Sequence, residues 1–209
     1  MKTVIINYGS GNLRSVEKGV MFASQSLDME VKVTACSDEV RSADRIILPG
    51  VGSFADCMKG LTAVSGMRDA LEEVVIERGR PFLGICVGMQ LLADLGLEHV
   101  STKGFGWISG TVDKILAGQL KVPHMGWNNL EIDQPHALLN EVSSGDHAYF
   151  VHSYHFKVDN PKNILAHVKY GEYIAAAVVR DNISGTQFHP EKSQAVGLKI
   201  IENFLKWFP

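Results

Sequence analysis

The chain has 209 residues, is 45% hydrophobic and carries a formal net charge of −3. That is enough length for one well-buried α/β domain, and no linker-like stretch divides residues 1–209. The charge gives no footing for nucleic acid or an anionic membrane. The cysteines Cys36, Cys57 and Cys86 form neither a disulfide framework nor a zinc pattern, so a reducing, cytoplasmic setting is expected.

The apolar run at residues 3–7 is too short for a signal peptide, and no segment is long enough to span a bilayer. The run reads as a first strand, buried on both faces because it does not alternate. Tyr8-Gly9-Ser10-Gly11-Asn12 is a turn, after which Leu13, Val16 and Val20 recur at helical spacing. Gly9-x-Gly11-x-x-Arg14 lacks the third glycine of a dinucleotide fingerprint and is read as a plain turn. Val31 and Val33 mark a second strand, and residues 45–48 a third, stopped by Pro49. In Pro49-Gly50-Val51-Gly52-Ser53-Phe54 two glycines flank one valine, a backbone whose N–H groups swing at little steric cost. Met67, Ala70, Leu71, Val74 and Val75 define an amphipathic helix leading into a strand that ends at Cys86. Strands alternating with helices predict a parallel, doubly wound sheet.

After residue 100 the texture changes. Residues 105–112, 122–132, 148–158, 164–168 and 173–179 read as strands joined by short loops, predicting a mixed or antiparallel extension. Residues 183–188 are the last strand, and Leu198, Ile201 and Leu205 mark a closing helix.

Two short stretches carry chemistry. Gly84-x-Cys86-x-Gly88, between a buried strand and the helical run beginning at Gln90, has the spacing of a nucleophile elbow with cysteine in place of serine. A helix starting there aims free N–H groups at the sulfur and favours the thiolate. The bland alternative is a core cysteine at an ordinary strand–helix junction. The second stretch is Thr186-Gln187-Phe188-His189-Pro190-Glu191. A thiol attacking an acyl carbon needs a base, and His189 sits at a strand end where Pro190 forces a turn. Glu191 can then reach back to orient the imidazole, as in a catalytic triad. By itself this tripeptide reads as a surface loop; its coincidence with the cysteine elbow favours catalysis. His124, His147, His152 and His155 complete no metal-ligand pattern, and neither a metal nor another cofactor is expected.

These residues resemble the triad-type, class I glutamine amidotransferases. Tyr8-Gly9-x-Gly11-Asn12-Leu13, Pro49 to Phe54, Val122-Pro123-His124-Met125-Gly126-Trp127-Asn128 and Phe188 to Ser193 narrow the resemblance to the glutaminase subunits of imidazole glycerol phosphate synthases. It runs from residue 4 to the C-terminus, with Val87 where leucine is usual. The resemblance implies a flavodoxin-like fold and hydrolysis of glutamine through a glutamyl thioester on Cys86, with His189 as proton shuttle and Glu191 as its orienter. It implies one oxyanion donor from the N–H of Val87 and a second from the loop at Gly50 to Gly52, after a peptide flip at Val51. It implies glutamine contacts at Gly52, Gln90, Glu98, Ser153 and Tyr154. It further implies a separate (β/α)₈ cyclase subunit as ammonia acceptor in histidine biosynthesis, met by Asn12, Met125, Trp127, Tyr149 and Lys192. Competing readings are the glutaminase of an aminosugar-forming paralogue or of anthranilate synthase, a redox or binding module of the same build, and a cysteine peptidase.

Overall fold

The computed structural model of the chain describes residues 1–209. Its first half runs β1 (Lys2–Ile6), α1 (Leu13–Ala23), β2 (Glu30–Thr34), α2 (Ser37–Arg41), β3 (Arg45–Gly50), α3 (Phe54–Ala63), α4 (Met67–Leu71), β4 (Phe82–Cys86) and α5 (Val87–Gln90). The second half runs β5 (Leu95–Gly96), β6 (Thr102–Lys103), β7 (Gly110–Lys114), β8 (His124–Asn129), β9 (Glu131–Ile132), β10 (His147–His152), β11 (Tyr154–Val158), β12 (Ile164–Tyr170), β13 (Glu172–Arg180), β14 (Ile183–Thr186) and α6 (Gln194–Lys206).

An eight-stranded sheet in the order β2-β1-β3-β4-β14-β13-β12-β9 is the frame. From β2 to β14 its neighbours are parallel; from β14 to β9 they are antiparallel. The central strands are continuous apolar runs because helices cover both faces: Val4, Ile5, Ile6, Ile46, Ile47, Leu48 and Phe82 are fully buried. Edge strand β2 alternates instead and turns Glu30 and Lys32 to solvent. α1 packs on α6, while α2, α3 and α4 form a second group. Right-handed crossovers put these two groups on opposite faces. Smaller sheets, β10-β8 and β11-β7-β5-β6, stand beside the main one.

Several boundaries differ from expectation. β3 does not stop before Pro49 but carries it to Gly50, in register with Ile85 and Cys86 of β4. The helix from Met67 changes to a π-helical turn over Glu72–Glu77. The helical run expected from Gln90 is a single turn, Val87–Gln90, which closes at once. Only Gly110–Lys114 of the strand expected from residue 105 forms. The N–H groups of Phe105, Gly106, Trp107 and Ile108 instead bind the carbonyls of Leu91, Ala93 and Leu92, so this segment satisfies the open end of α5. The run 148–158 is two strands in different sheets, broken at Ser153, and 122–132 divides into β8 and β9.

Candidate active site

Topology brings the two chemical stretches together. β4 and β14 are adjacent and parallel, so Cys86 at the end of one and His189 just beyond the other share the carboxyl edge of the sheet. Ligand crevices of open α/β sheets form at that edge. A cavity of about 350 Å³ opens there, with Cys86 and His189 in its wall.

The elbow has the strain its spacing implies. Cys86 takes φ 56° and ψ −112°, a conformation costly to a residue with a side chain. The flanking glycines let the chain cross itself. A Cβ on Gly84 would lie 2.4 Å from the Gly88 carbonyl oxygen, and one on Gly88 would lie 1.9 Å from that of Leu48. The sulfur is nearly buried and accepts a hydrogen bond from Gln187 Nε2 at 3.8 Å.

His189 is held from several sides. Its Nδ1 lies 2.8 Å from Glu191 Oε1, and both side chains are almost fully buried. The 3-10 turn Pro190–Lys192 makes this short reach possible. The N–H of His189 donates to Tyr149 O at 3.0 Å, while Ser193 Oγ donates to His189 O at 2.7 Å and accepts from Tyr149 N at 2.9 Å. Burial works against a charged imidazole here. The hydrogen bonds and charges of Cys86 and Glu191 outweigh it and raise the His189 pKa to about 9.

Val87, Val51, Gly52, Gln90, Glu98, Ser153 and Tyr154 all line the cavity. Gly50 lies beneath it, where a Cβ would lie 2.7 Å from the nitrogen of Gly88. The N–H of Val51 is engaged elsewhere: it donates to Ser10 Oγ at 3.2 Å, and Ser10 Oγ donates back to the Val51 carbonyl. Cys57 Sγ reaches the same carbonyl at 3.4 Å. Gln90 spends its amide hydrogens on Tyr154 O at 3.0 Å and Gln187 Oε1 at 2.9 Å, which leaves its carbonyl oxygen to a ligand. Glu98 Oε2 accepts the Phe54 N–H at 2.8 Å, fixing the carboxylate at the head of α3.

The chain matches the family model "Glutamine amidotransferase class-I" over residues 4–207. It belongs to the class-I glutamine amidotransferases. A family member draws nitrogen from the side-chain amide of glutamine, and a buried Cys86–His189–Glu191 array beside a small cavity suits that chemistry. Among relatives, the chain is 54% identical to "Imidazole glycerol phosphate synthase subunit HisH" of Mesorhizobium japonicum, with all of both chains covered. It is 52% identical to the protein of the same name from Rhodospirillum rubrum, again over all of both chains. Of solved structures, one titled as a glutamine amidotransferase superposes with a TM-score of 0.72 at 19% identity, covering 97% of each chain. A glutamine amidotransferase of Thermotoga maritima gives 0.63 at 15% identity, covering 91% of this chain and 76% of that one. These two likenesses are of fold.

Of the residues expected at a partner surface, Met125 and Trp127 are 62% and 48% exposed on β8. Tyr149 on the paired strand meets Trp127 edge-on, ring centroids 5.9 Å apart, and Lys192 Nζ lies 5.9 Å from the Tyr149 ring. Asn12 precedes α1, on a different element. Sequence reasoning missed Gln187, a fully buried amide between Gln90 and the sulfur, and the Ser10–Val51–Cys57 cluster. A glutamine closing an apolar terminal strand was the available signal for Gln187; nothing local marked Ser10.

Proposed function

We infer that this amidotransferase is the glutamine-hydrolysing subunit of an imidazole glycerol phosphate synthase and feeds ammonia to a separate (β/α)₈ cyclase in histidine biosynthesis. The observation that carries the reading is the array of Cys86, His189 and Glu191 at one cavity, in a chain whose full length matches HisH relatives. The Cys86 thiolate attacks the amide carbon, and His189 gives its proton to the departing nitrogen, so that ammonia and a glutamyl thioester form. Water then attacks the thioester, His189 takes the water's proton, the Cys86 thiolate leaves, and glutamate is released with the thiolate–imidazolium pair restored. Glu191 holds the imidazole by Nδ1, which leaves Nε2 to face the sulfur.

The tetrahedral oxyanion requires two donors. The N–H of Val87 is one. The second is the N–H of Val51 once its peptide turns away from Ser10 toward the cavity next to Gly50. The α-carboxylate of glutamine docks on the backbone at Gly52, Ser153 and Tyr154, its ammonium on Glu98, and its side chain beside Gln90. The exposed Met125–Trp127 face, with Tyr149, Lys192 and Asn12, is the seat for the cyclase, because a well-exposed tryptophan beside a methionine is costly to leave in water. Residues 1–209 act as one domain, which a single contiguous apolar core supports. The setting is the reducing cytosol, where Cys36, Cys57 and Cys86 persist as free thiols.

The test is release of glutamate and ammonia from glutamine, alone and with the cyclase, by the parent protein and by Cys86→Ala. Turnover in the parent that disappears in the variant supports the reading. Equal activity in both, or none in the parent under either condition, overturns it.

A further inference from the structure

Strand β8 presents two faces with different occupants. Met125 and Trp127 point to solvent, while His124 and Asn128 alternate onto the inner side. His124 is stacked between two rings, Tyr170 at 4.0 Å and Phe150 at 4.8 Å. Directly opposite in the antiparallel pairing is His152, the last residue of β10. His124 Nδ1 lies 2.9 Å from His152 Nε2, Asn128 Nδ2 lies 3.1 Å from His124 Nε2, and His152 Nδ1 lies 2.9 Å from the Tyr154 carbonyl.

The proton positions follow from the ends of this run. A carbonyl only accepts, so His152 carries its proton on Nδ1 and accepts at Nε2. His124 must then donate from Nδ1 and accept at Nε2 from the amide of Asn128. Asn128 Oδ1 is already taken by the Asn129 N–H at 2.8 Å, which fixes the orientation of that amide. Every bond points the same way, from Asn128 to Tyr154, and both imidazoles are neutral. Burial enforces this, lowering His124 to about 4 and His152 to about 3.

The run reaches the cavity at His152, which is itself in the wall, and ends on the Tyr154 carbonyl beside it. The same carbonyl accepts from Gln90, whose amide also donates to Gln187, and Gln187 donates to the Cys86 sulfur. The lip at Ser153 and Tyr154 sits where β10 ends and β11 begins in another sheet, so no single ladder holds it. Its backbone anchors are the Ile115 N–H to Ser153 O at 3.0 Å, the pairing of Tyr154 with Lys114 where the β11–β7 ladder begins, and at the Tyr154 carbonyl the bonds from His152 and Gln90.

We propose that His124 and His152 are positioning residues: a neutral two-imidazole bridge through which β8 sets the Ser153–Tyr154 lip for glutamine, and through which a partner seated on Met125 and Trp127 changes that binding. This rests on the glutaminase reading above. Neither imidazole is hydrogen-bonded to the sulfur, so the bridge acts on substrate affinity and on partner stimulation rather than on bond cleavage.

Two variants of His124 separate bridging from space-filling. Phenylalanine keeps a ring in the stack and removes both hydrogen bonds. Glutamine gives up the stack and keeps one donor and one acceptor. Glutamine hydrolysis is measured for the free subunit and for its complex with the cyclase. In His124→Phe, KM for glutamine in the complex rises about tenfold while that of the free subunit changes less than about twofold. Stimulation by the partner, read as kcat/KM of the complex over that of the free subunit, therefore falls about tenfold, and kcat in the complex at saturating glutamine changes less than about threefold. His124→Gln stays within about threefold of the parent in both measures. Alkylation of Cys86 by iodoacetamide, which needs no recognition of an amino acid, stays within about twofold in both. The reverse order, with His124→Gln the worse, or unchanged KM and stimulation in His124→Phe, overturns the proposal. If His124→Phe does not fold, Asn128→Ala cuts the bridge at its outer end, and the same two measures decide: a rise of about threefold in KM with reduced stimulation supports it, no change overturns it. A parent protein that releases no glutamate, alone or in complex, brings down the glutaminase reading and this proposal together; failure confined to the variants leaves that reading standing.

Discussion

The backbone N–H of Val51 donates to the hydroxyl of Ser10 at 3.2 Å, a bond that spans 41 residues of chain. The hydroxyl also donates to the carbonyl of the same residue, so one small side chain grips both ends of this stretch of loop. In this arrangement the oxyanion donor proposed for the cavity is spent outside it.

Ser10→Ala therefore loosens the loop toward its active arrangement. Two hydrogen bonds of about 0.5–1.5 kcal/mol each oppose the flip, so their loss raises glutamine turnover of the free subunit by roughly five- to 150-fold. If cyclase binding turns the Val51 peptide toward the cavity, the complex changes much less. Steady-state glutamate release with and without the cyclase checks this, and an unchanged or lower basal rate refutes it.

Gly88→Ala fails on steric grounds. The new Cβ would lie 1.9 Å from the carbonyl oxygen of Leu48, and both partners are backbone of packed elements. A cost of about 3–5 kcal/mol is expected, with a drop in melting temperature of roughly 10 °C or more. Thermal melts followed by circular dichroism measure it.

The His189 pKa is raised from the ordinary 6.5 to about 9. Below pH 6.5 folded and unfolded chains both hold this proton, and the stabilisation from the Cys86 and Glu191 contacts is fully present. Between there and about 9 only the folded chain retains it, so stability falls as pH rises, by up to about 1.4 kcal/mol per pH unit from this group. Urea unfolding at pH 6.5 and 9 shows a steeper loss in the parent than in His189→Gln. Equal losses would contradict the assignment of the proton.

Trp127→Ala weakens association with the cyclase by about 2 kcal/mol, roughly thirtyfold in Kd. Because the ring is half in solvent and meets Tyr149 only edge-on, the fold is spared. Calorimetric titration reads the affinity, and iodoacetamide labelling of Cys86 in the free subunit confirms an intact site. Unaltered affinity would move the partner surface elsewhere.

Local chemistry was legible in the residues. Gly84 and Gly88 around Cys86 meant an elbow because only glycine tolerates backbone that close, and Pro190 after His189 meant a turn that returns Glu191 to the ring. The alternation of strands and helices up to Cys86 likewise announced parallel pairing. These features depend on near neighbours, and a short window contains all their causes.

What tertiary structure alone decided was which distant segments meet. Apolar periodicity reports that a strand is buried and says nothing of its partner, and the entropy of closing a long loop grows too slowly with length to mark one pairing over another. Thus the placement of β14 beside β4, which brings His189 to Cys86, had to be inferred from chemistry. The break at Ser153, the grip of Ser10 on Val51 and the run from Asn128 through two histidines to Tyr154 left no local trace. Each depends on polar groups finding partners only after the sheets have packed, when burial makes an unpaired donor or acceptor costly.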